Sequence, residues 1–143
     1  RKLDALPSDD RAAVAVVDGQ MREILRQARA AMVCSGTATV ETALLHCPLI
    51  VVYRTAALTY WFGRRIIRVP WLGMVNLIAG RELCPEFIQG AARPGAMADA
   101  VEALAADTPE RQIQLAGLAE VERALEGQGD IPSAGRLVAD ALG

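Results

Sequence analysis

An α/β fold built on a parallel sheet is what this sequence predicts, and three observations predict it. Short apolar runs stand at 12–17, Ala31–Cys34 and Leu49–Tyr53, without polar alternation. Such runs are the mark of strands buried on both faces. Helix-patterned segments, 20–29 and 37–45, lie between them. Two consecutive strand–helix–strand crossovers between residues 12 and 53 would force parallel strands and right-handed connections.

Each element has a local reason. Residues 1–11 are polar, contain Pro7 and read as a loop or the tail of a missing element. After the 12–17 strand, Asp18-Gly19 breaks the chain, and Met21, Ile24, Leu25 and Ala28 then fall at helical spacing. Ala31–Cys34 is the second strand, and the helix from Thr37 ends at His46-Cys47-Pro48, because proline disfavours helical geometry in the residue before it. Leu49–Tyr53 is the third strand. A further strand is expected around 73–77. Pro94 opens a helix over 97–106 with Val101 and Leu104 inward, and Thr108-Pro109-Glu110 starts another that runs to about Glu126. A short helix at 134–142 completes a Rossmann-like architecture with extra C-terminal helices, which look structural or interfacial.

The bulk numbers set limits. At 143 residues the chain holds a single domain with a sizeable core. A net charge of −2 excludes a general nucleic-acid binder, which would be basic. No run approaches the roughly 18 apolar residues of a membrane span, and the N-terminus is no signal peptide. The three cysteines, Cys34, Cys47 and Cys84, lack metal-ligand spacing and read as small buried hydrophobes of a reducing cytoplasm. The opening Arg1-Lys2-Leu3-Asp4, without an initiator Met, suggests a piece of a longer protein.

The stretch that carries chemistry is Ser35-Gly36-Thr37, between a strand and a helix, with Glu41 one turn further on. A tight turn there leaves unpaired N–H groups at the helix start, where the helix dipole also favours an anion. Glu41 shares a helix face with Thr37, so its carboxylate can accept the hydroxyls of a ribose whose phosphates lie at the turn. The site is read as one for a nucleoside diphosphate. The plain alternative is that Ser and Thr merely cap a helix, Gly turns the chain, and the dipole favours Glu.

Beyond Arg54, residues 56–69 carry Leu58, Trp61, Phe62, Ile66 and Ile67 with Arg64, Arg65 and Arg68 between them. A helix with its apolar face on the sheet accounts for this. The alternative is a basic amphipathic helix lying near anionic lipid headgroups. Asn76, Gly80, Arg81 and Glu82 are small or polar groups in apolar surroundings. Gly80 can simply turn the chain, or Asn76 and Arg81 can face the crevice of the Ser-Gly-Thr turn, with Arg forking onto phosphate.

Four motifs in order, Ser35-Gly36-Thr37-Ala38-Thr39-Val40-Glu41, Cys47-Pro48-Leu49-Ile50-Val51-Val52-Tyr53-Arg54, Leu58-Thr59-Tyr60-Trp61 and Asn76-Leu77-Ile78-Ala79-Gly80-Arg81-Glu82, resemble the C-terminal half of lipid-A-disaccharide synthase. The likeness is strongest over about 17–90. It implies the C-terminal, UDP-sugar-binding domain of a GT-B glycosyltransferase, a peripheral enzyme of lipid A and lipopolysaccharide biosynthesis in Gram-negative bacteria. That inverting enzyme moves 2,3-diacylglucosamine from UDP-2,3-diacylglucosamine to 2,3-diacylglucosamine 1-phosphate, so the resemblance implies no metal and no cofactor. By the match, Ser35, Gly36 and Thr37 would hold the diphosphate and Glu41 the ribose. Asp18 and Gly19 would lie near the uracil, and Arg54, Asn76, Arg81 and Glu82 would line or brace the crevice. The family's acceptor-binding N-terminal domain, source of its catalytic base, has no counterpart in residues 1–143, so this chain is expected to bind nucleotide without turnover. His46, the single histidine, sits at a helix end beside proline and is read as structural.

Two other functions compete. One is another UDP-sugar GT-B enzyme, an epimerase or the peptidoglycan N-acetylglucosaminyltransferase, which the Asn76–Glu82 block disfavours. The other is a non-catalytic α/β module that forms homodimers, by edge pairing or swapping, through exposed sheet edges and the apolar helices of 96–126.

Overall fold

The computed structural model describes residues 13–54 and 70–126. In chain order they form α1 (Met21–Gln27), β1 (Ala31–Cys34), α2 (Thr37–Leu44), β2 (Leu49–Tyr53), α3 (Met74–Ala79), β3 (Glu86–Ile88), α4 (Pro94–Ala105) and α5 (Pro109–Glu126). A 3-10 turn, Gln89–Ala91, follows β3. The strands pair in the order β1-β2-β3, all parallel, with Ala31 opposite Leu49 and Val51 opposite Glu86. The chain thus adopts the parallel, helix-flanked sheet its sequence predicts.

β2 is the central strand, and its continuous apolar run has a direct cause. Leu49, Ile50 and Val51 are fully buried, so neither pleat face tolerates a polar residue. Leu49 and Val51 meet Ala43 of α2, Val75 of α3, and Leu118 and Val121 of α5, with Ala31 and Val33 of β1 packed against the same cluster. Each fully buried leucine or valine of this cluster contributes about 1.5–3 kcal/mol on burial. Gln114 of α5 closes the amino end of the sheet. Its Oε1 accepts from Leu49 N at 2.8 Å, and its Nε2 donates to the carbonyls of Leu49 and Leu83 at 3.1 and 3.2 Å. At the start of α5, Thr108 Oγ1 accepts from Arg111 N at 3.2 Å, the cap expected from Thr-Pro-Glu.

Two expected strands are absent. Residues 13–17 lie outside the sheet, with Val14, Val16 and Val17 exposed at 46%, 78% and 47%. β-branched residues suit a strand, but a strand also needs a ladder partner, and β1 pairs only with β2 among the described residues. A single crossover, β1-α2-β2, therefore lies between residues 12 and 53. Around 73–77 the chain is helical rather than extended: α3 starts after Gly73 and closes at Gly80, whose φ of 65° is the left-handed C-cap. The third strand is instead Glu86–Ile88, reached by the second crossover from β2. Smaller differences are in length: α1 covers 21–27 with Met21 and Ile24 exposed, and α4 begins at Pro94 itself. The expected helices at 56–69 and 134–142, with Arg64, Arg65 and Arg68, lie outside the described residues.

His46 has φ of 51° just past α2, and its Nε2 lies 2.9 Å from Glu122 Oε2 on α5, a tether in keeping with a structural role. The cysteines divide. Cys47 and Cys84 are buried as expected, but Cys34 is exposed, because it falls with Met32 on the exposed pleat face of β1. Burial, with a smaller push from the Glu86 carboxylate, drives the Cys84 thiol up to about 12, and burial also raises Cys47. Thiolate is the reactive form, so at about pH 8 a thiol reagent should modify Cys34 alone in the native chain. Cys47 and Cys84 should react only after denaturation. Rapid native labelling of either buried thiol, read by mass spectrometry, would contradict this packing.

Candidate functional site

The candidate site forms at the carboxyl end of β1, where parallel sheets present their loops. Ser35 N still belongs to the ladder, donating to Val52 O at 3.2 Å. Gly36 then takes φ 144° and ψ −167°, a conformation essentially confined to glycine. A Cβ built at Gly36 would meet nothing within 4 Å, so the space over the turn is open. The turn is fastened from behind: Thr39 N and Thr39 Oγ1 both donate to Gly36 O, at 3.1 and 2.7 Å. α2 has no side-chain N-cap, and the amides of Gly36, Thr37 and Ala38 have no acceptor among the described residues. Three donors at the positive end of a helix can take the oxygens of an anion.

Glu41 lies within α2, half-buried at 34% exposure and directed away from the core. Its Oε1 accepts from Arg22 Nε at 2.7 Å, while Oε2 has no partner among the described residues. That hydrogen bond, and the charge behind it, hold the Arg22 guanidinium above its ordinary pKa. Arg22 belongs to α1, which begins just after the exposed bend at Asp18 and Gly19, where Gly19 has φ of 74°. The ion pair therefore ties the element following Asp18-Gly19 to Glu41. Arg54 is exposed and directly follows β2, which runs past the Cys34–Val52 pair. It thus stands at the same end of the sheet as the turn.

Other expected site residues are placed differently. Ser35 Oγ donates to Leu72 O at 2.8 Å; a carbonyl can only accept, so the Ser35 hydroxyl hydrogen is already committed. Asn76 is fully buried. Its Nδ2 donates to Cys84 O at 2.8 Å and Glu86 Oε1 at 2.9 Å, and its Oδ1 accepts from Leu83 N at 2.9 Å and Cys84 N at 2.8 Å. All its capacity is used inside the fold, so it braces the α3–β3 connection and lines no crevice. Arg81 pairs with Glu120 of α5 at 2.8 Å, both about half exposed. It and Glu82 directly precede Leu83, whose carbonyl shares Gln114 with Leu49 at the amino end of the sheet. Arg81 and Glu82 therefore sit at the end opposite the turn, about 13 Å away over four strand residues.

Sequence reasoning missed Glu86, Arg22 and Gln114. Glu86 carried a signal, a lone carboxylate within the apolar Cys-Pro-Glu-Phe-Ile run. Arg22 and Gln114 had none beyond ordinary helix composition. Among the described residues no group of His, Cys, Asp and Glu could hold a metal ion.

Comparison with known proteins adds to this geometry. The family model described as Lipid-A-disaccharide synthetase matches residues 5–130. A lipid-A-disaccharide synthase of Sodalis glossinidius is 37% identical over 126 residues, covering 88% of this chain and 33% of the relative. One from Anaeromyxobacter dehalogenans (strain 2CP-1) is 40% identical over 116 residues, covering 81% of this chain and 30% of the relative. One from Syntrophus aciditrophicus is 45% identical over 101 residues, covering 71% and 26%. The chain spans about a third of the length of the curated relatives it matches.

Proposed function

The chain belongs to the lipid-A-disaccharide synthetase family, and on that premise we propose that it is the UDP-sugar-binding part of such an enzyme. The whole protein would transfer 2,3-diacylglucosamine from its UDP carrier to 2,3-diacylglucosamine 1-phosphate, releasing UDP and lipid A disaccharide 1-phosphate. The observation that carries this is the turn at 36–38, whose three amides at the start of α2 have no acceptor among the described residues.

In this proposal the amides of Gly36, Thr37 and Ala38 and the Thr37 hydroxyl receive the diphosphate. Charge builds on that group as the glycosidic bond to the sugar breaks, and fixed donors stabilise it best at that moment. Arg54, at the same end of the sheet, supplies the positive charge a metal would otherwise provide. Glu41 accepts the ribose hydroxyls through Oε2, which has no partner among the described residues, with Arg22 orienting the carboxylate. The bend at Asp18 and Gly19 borders the uracil. The general base that activates the acceptor hydroxyl comes from the remainder of the longer protein, so residues 1–143 bind without turnover and form one partial domain. Among the described residues no helix is long and apolar enough to cross a membrane. Contact with the inner membrane therefore rests, in this proposal, on the 56–69 segment.

Calorimetric titration with UDP tests the proposal. Glu41→Ala removes the ribose contact and leaves the turn intact, so affinity should fall roughly tenfold, about 1.4 kcal/mol. No heat with UDP for the unaltered chain, or an unchanged affinity in the variant, would sink this assignment.

A further inference from the structure

We propose, building on the reading of the 36–38 turn as a diphosphate site, that Glu86 is a positioning residue for that turn, acting through the Leu72–Gly73 peptide. Glu86 is the first residue of β3, and both of its oxygens are engaged. Oε2 accepts from Leu72 N at 2.9 Å, and Oε1 accepts from Gly73 N at 2.8 Å and from Asn76 Nδ2 at 2.9 Å. All three donors are neutral, and among the described residues Glu86 forms no ion pair. Its charge is spent on orienting backbone at the entry to α3.

That entry is pressed tightly against the acid. A Cβ at Gly73 would come within 3.0 Å of Glu86 Oε1 and 3.1 Å of Val51 Cγ2, so the absence of a side chain is what lets the amide approach. The other side of the same peptide unit is held by the turn: Leu72 O accepts from Ser35 Oγ at 2.8 Å. The peptide is planar. Swinging its N–H away from Glu86 therefore also swings its carbonyl away from Ser35. Ser35 immediately precedes Gly36, and its own N–H is fixed on Val52 O. Together these contacts set the direction in which the 36–38 amides point. Ser35 belongs to this support, because its hydroxyl hydrogen is unavailable to phosphate.

Glu86→Gln keeps the size of the side chain but replaces one acceptor oxygen with a nitrogen that must face an N–H donor. Ser35→Ala cuts the other side of the same peptide. With the full chain, UDP affinity should fall about five- to tenfold in each variant, and the double variant should bind no more weakly than the worse single. Without UDP, both variants should shift the 1H–15N resonances of Gly36, Thr37 and Ala38. Gln114→Ala, which opens the far end of the sheet, is the control that loses stability and keeps its UDP affinity. Additive losses, or a Glu86→Gln variant with unmoved turn resonances, would overturn the link. Should UDP move no resonance of the unaltered chain, the diphosphate assignment falls, and the ligand-free shifts still decide whether Glu86 sets the turn.

Discussion

Replacing Asn76 with alanine is expected to cost about 3–5 kcal/mol of folding stability, the range of a broken buried hydrogen-bond network. The side chain is fully buried and makes four hydrogen bonds. Truncation leaves Cys84 N and Cys84 O without their partner where water does not readily replace it, Leu83 N keeps only Arg81 O, and Glu86 loses one of three donors. The loss is a large part of the roughly 5–15 kcal/mol that a domain possesses. Asn76→Asp should be at least as damaging, since an oxygen would replace the nitrogen that faces Cys84 O and Glu86 Oε1. Urea denaturation reads the effect. A residue that lined the binding crevice would behave in the opposite way, with UDP affinity lost and the denaturation midpoint unmoved. That result would restore the role its motif suggests.

Gly36→Val is the substitution with the largest expected effect on binding. At φ 144° and ψ −167° a β-branched residue is strained whatever space surrounds it, and the space here is empty. Steric blockage is therefore not the cause; the backbone must rotate, and the fan of amides rotates with it. UDP affinity should drop at least about a hundredfold, or 2.7 kcal/mol, with a stability loss of about 1–3 kcal/mol for the misplaced turn. Gly95→Ala, in the first turn of α4 where a Cβ also meets nothing and φ is ordinary, is the matched control and should lose neither. Near-normal UDP binding by Gly36→Val would mean that the turn amides do not hold the diphosphate.

Both predictions depend on how local and distant information divide along the chain. Where structure follows from neighbours in sequence, it was legible. β2 shows its burial in an unbroken apolar run, Pro48 ends the region after α2, and Thr108-Pro109 starts α5. The Ser-Gly-Thr turn announces a strand-to-helix junction, since only glycine holds Gly36's torsions. The motifs that resemble the family point the same way, and the family match bears them out.

What lay beyond the sequence depends on partners far along the chain. The 13–17 run has strand propensity but no ladder beside it among the described residues, and the entry to the 74–79 helix is fixed by Glu86, well beyond it in sequence, which receives the amides of Leu72 and Gly73. The sequence by itself determined the α/β class, the parallel order of β1 and β2, the Gly36 turn and the carboxylate one turn beyond it. Only the tertiary structure decided that Ser35 and Asn76 spend their polar atoms inside the fold, and that Arg81 and Glu82 stand at the wrong end of the sheet for phosphate. The reason is physical: torsions and periodicity are set within a few residues, whereas a hydrogen bond's partner is chosen by packing.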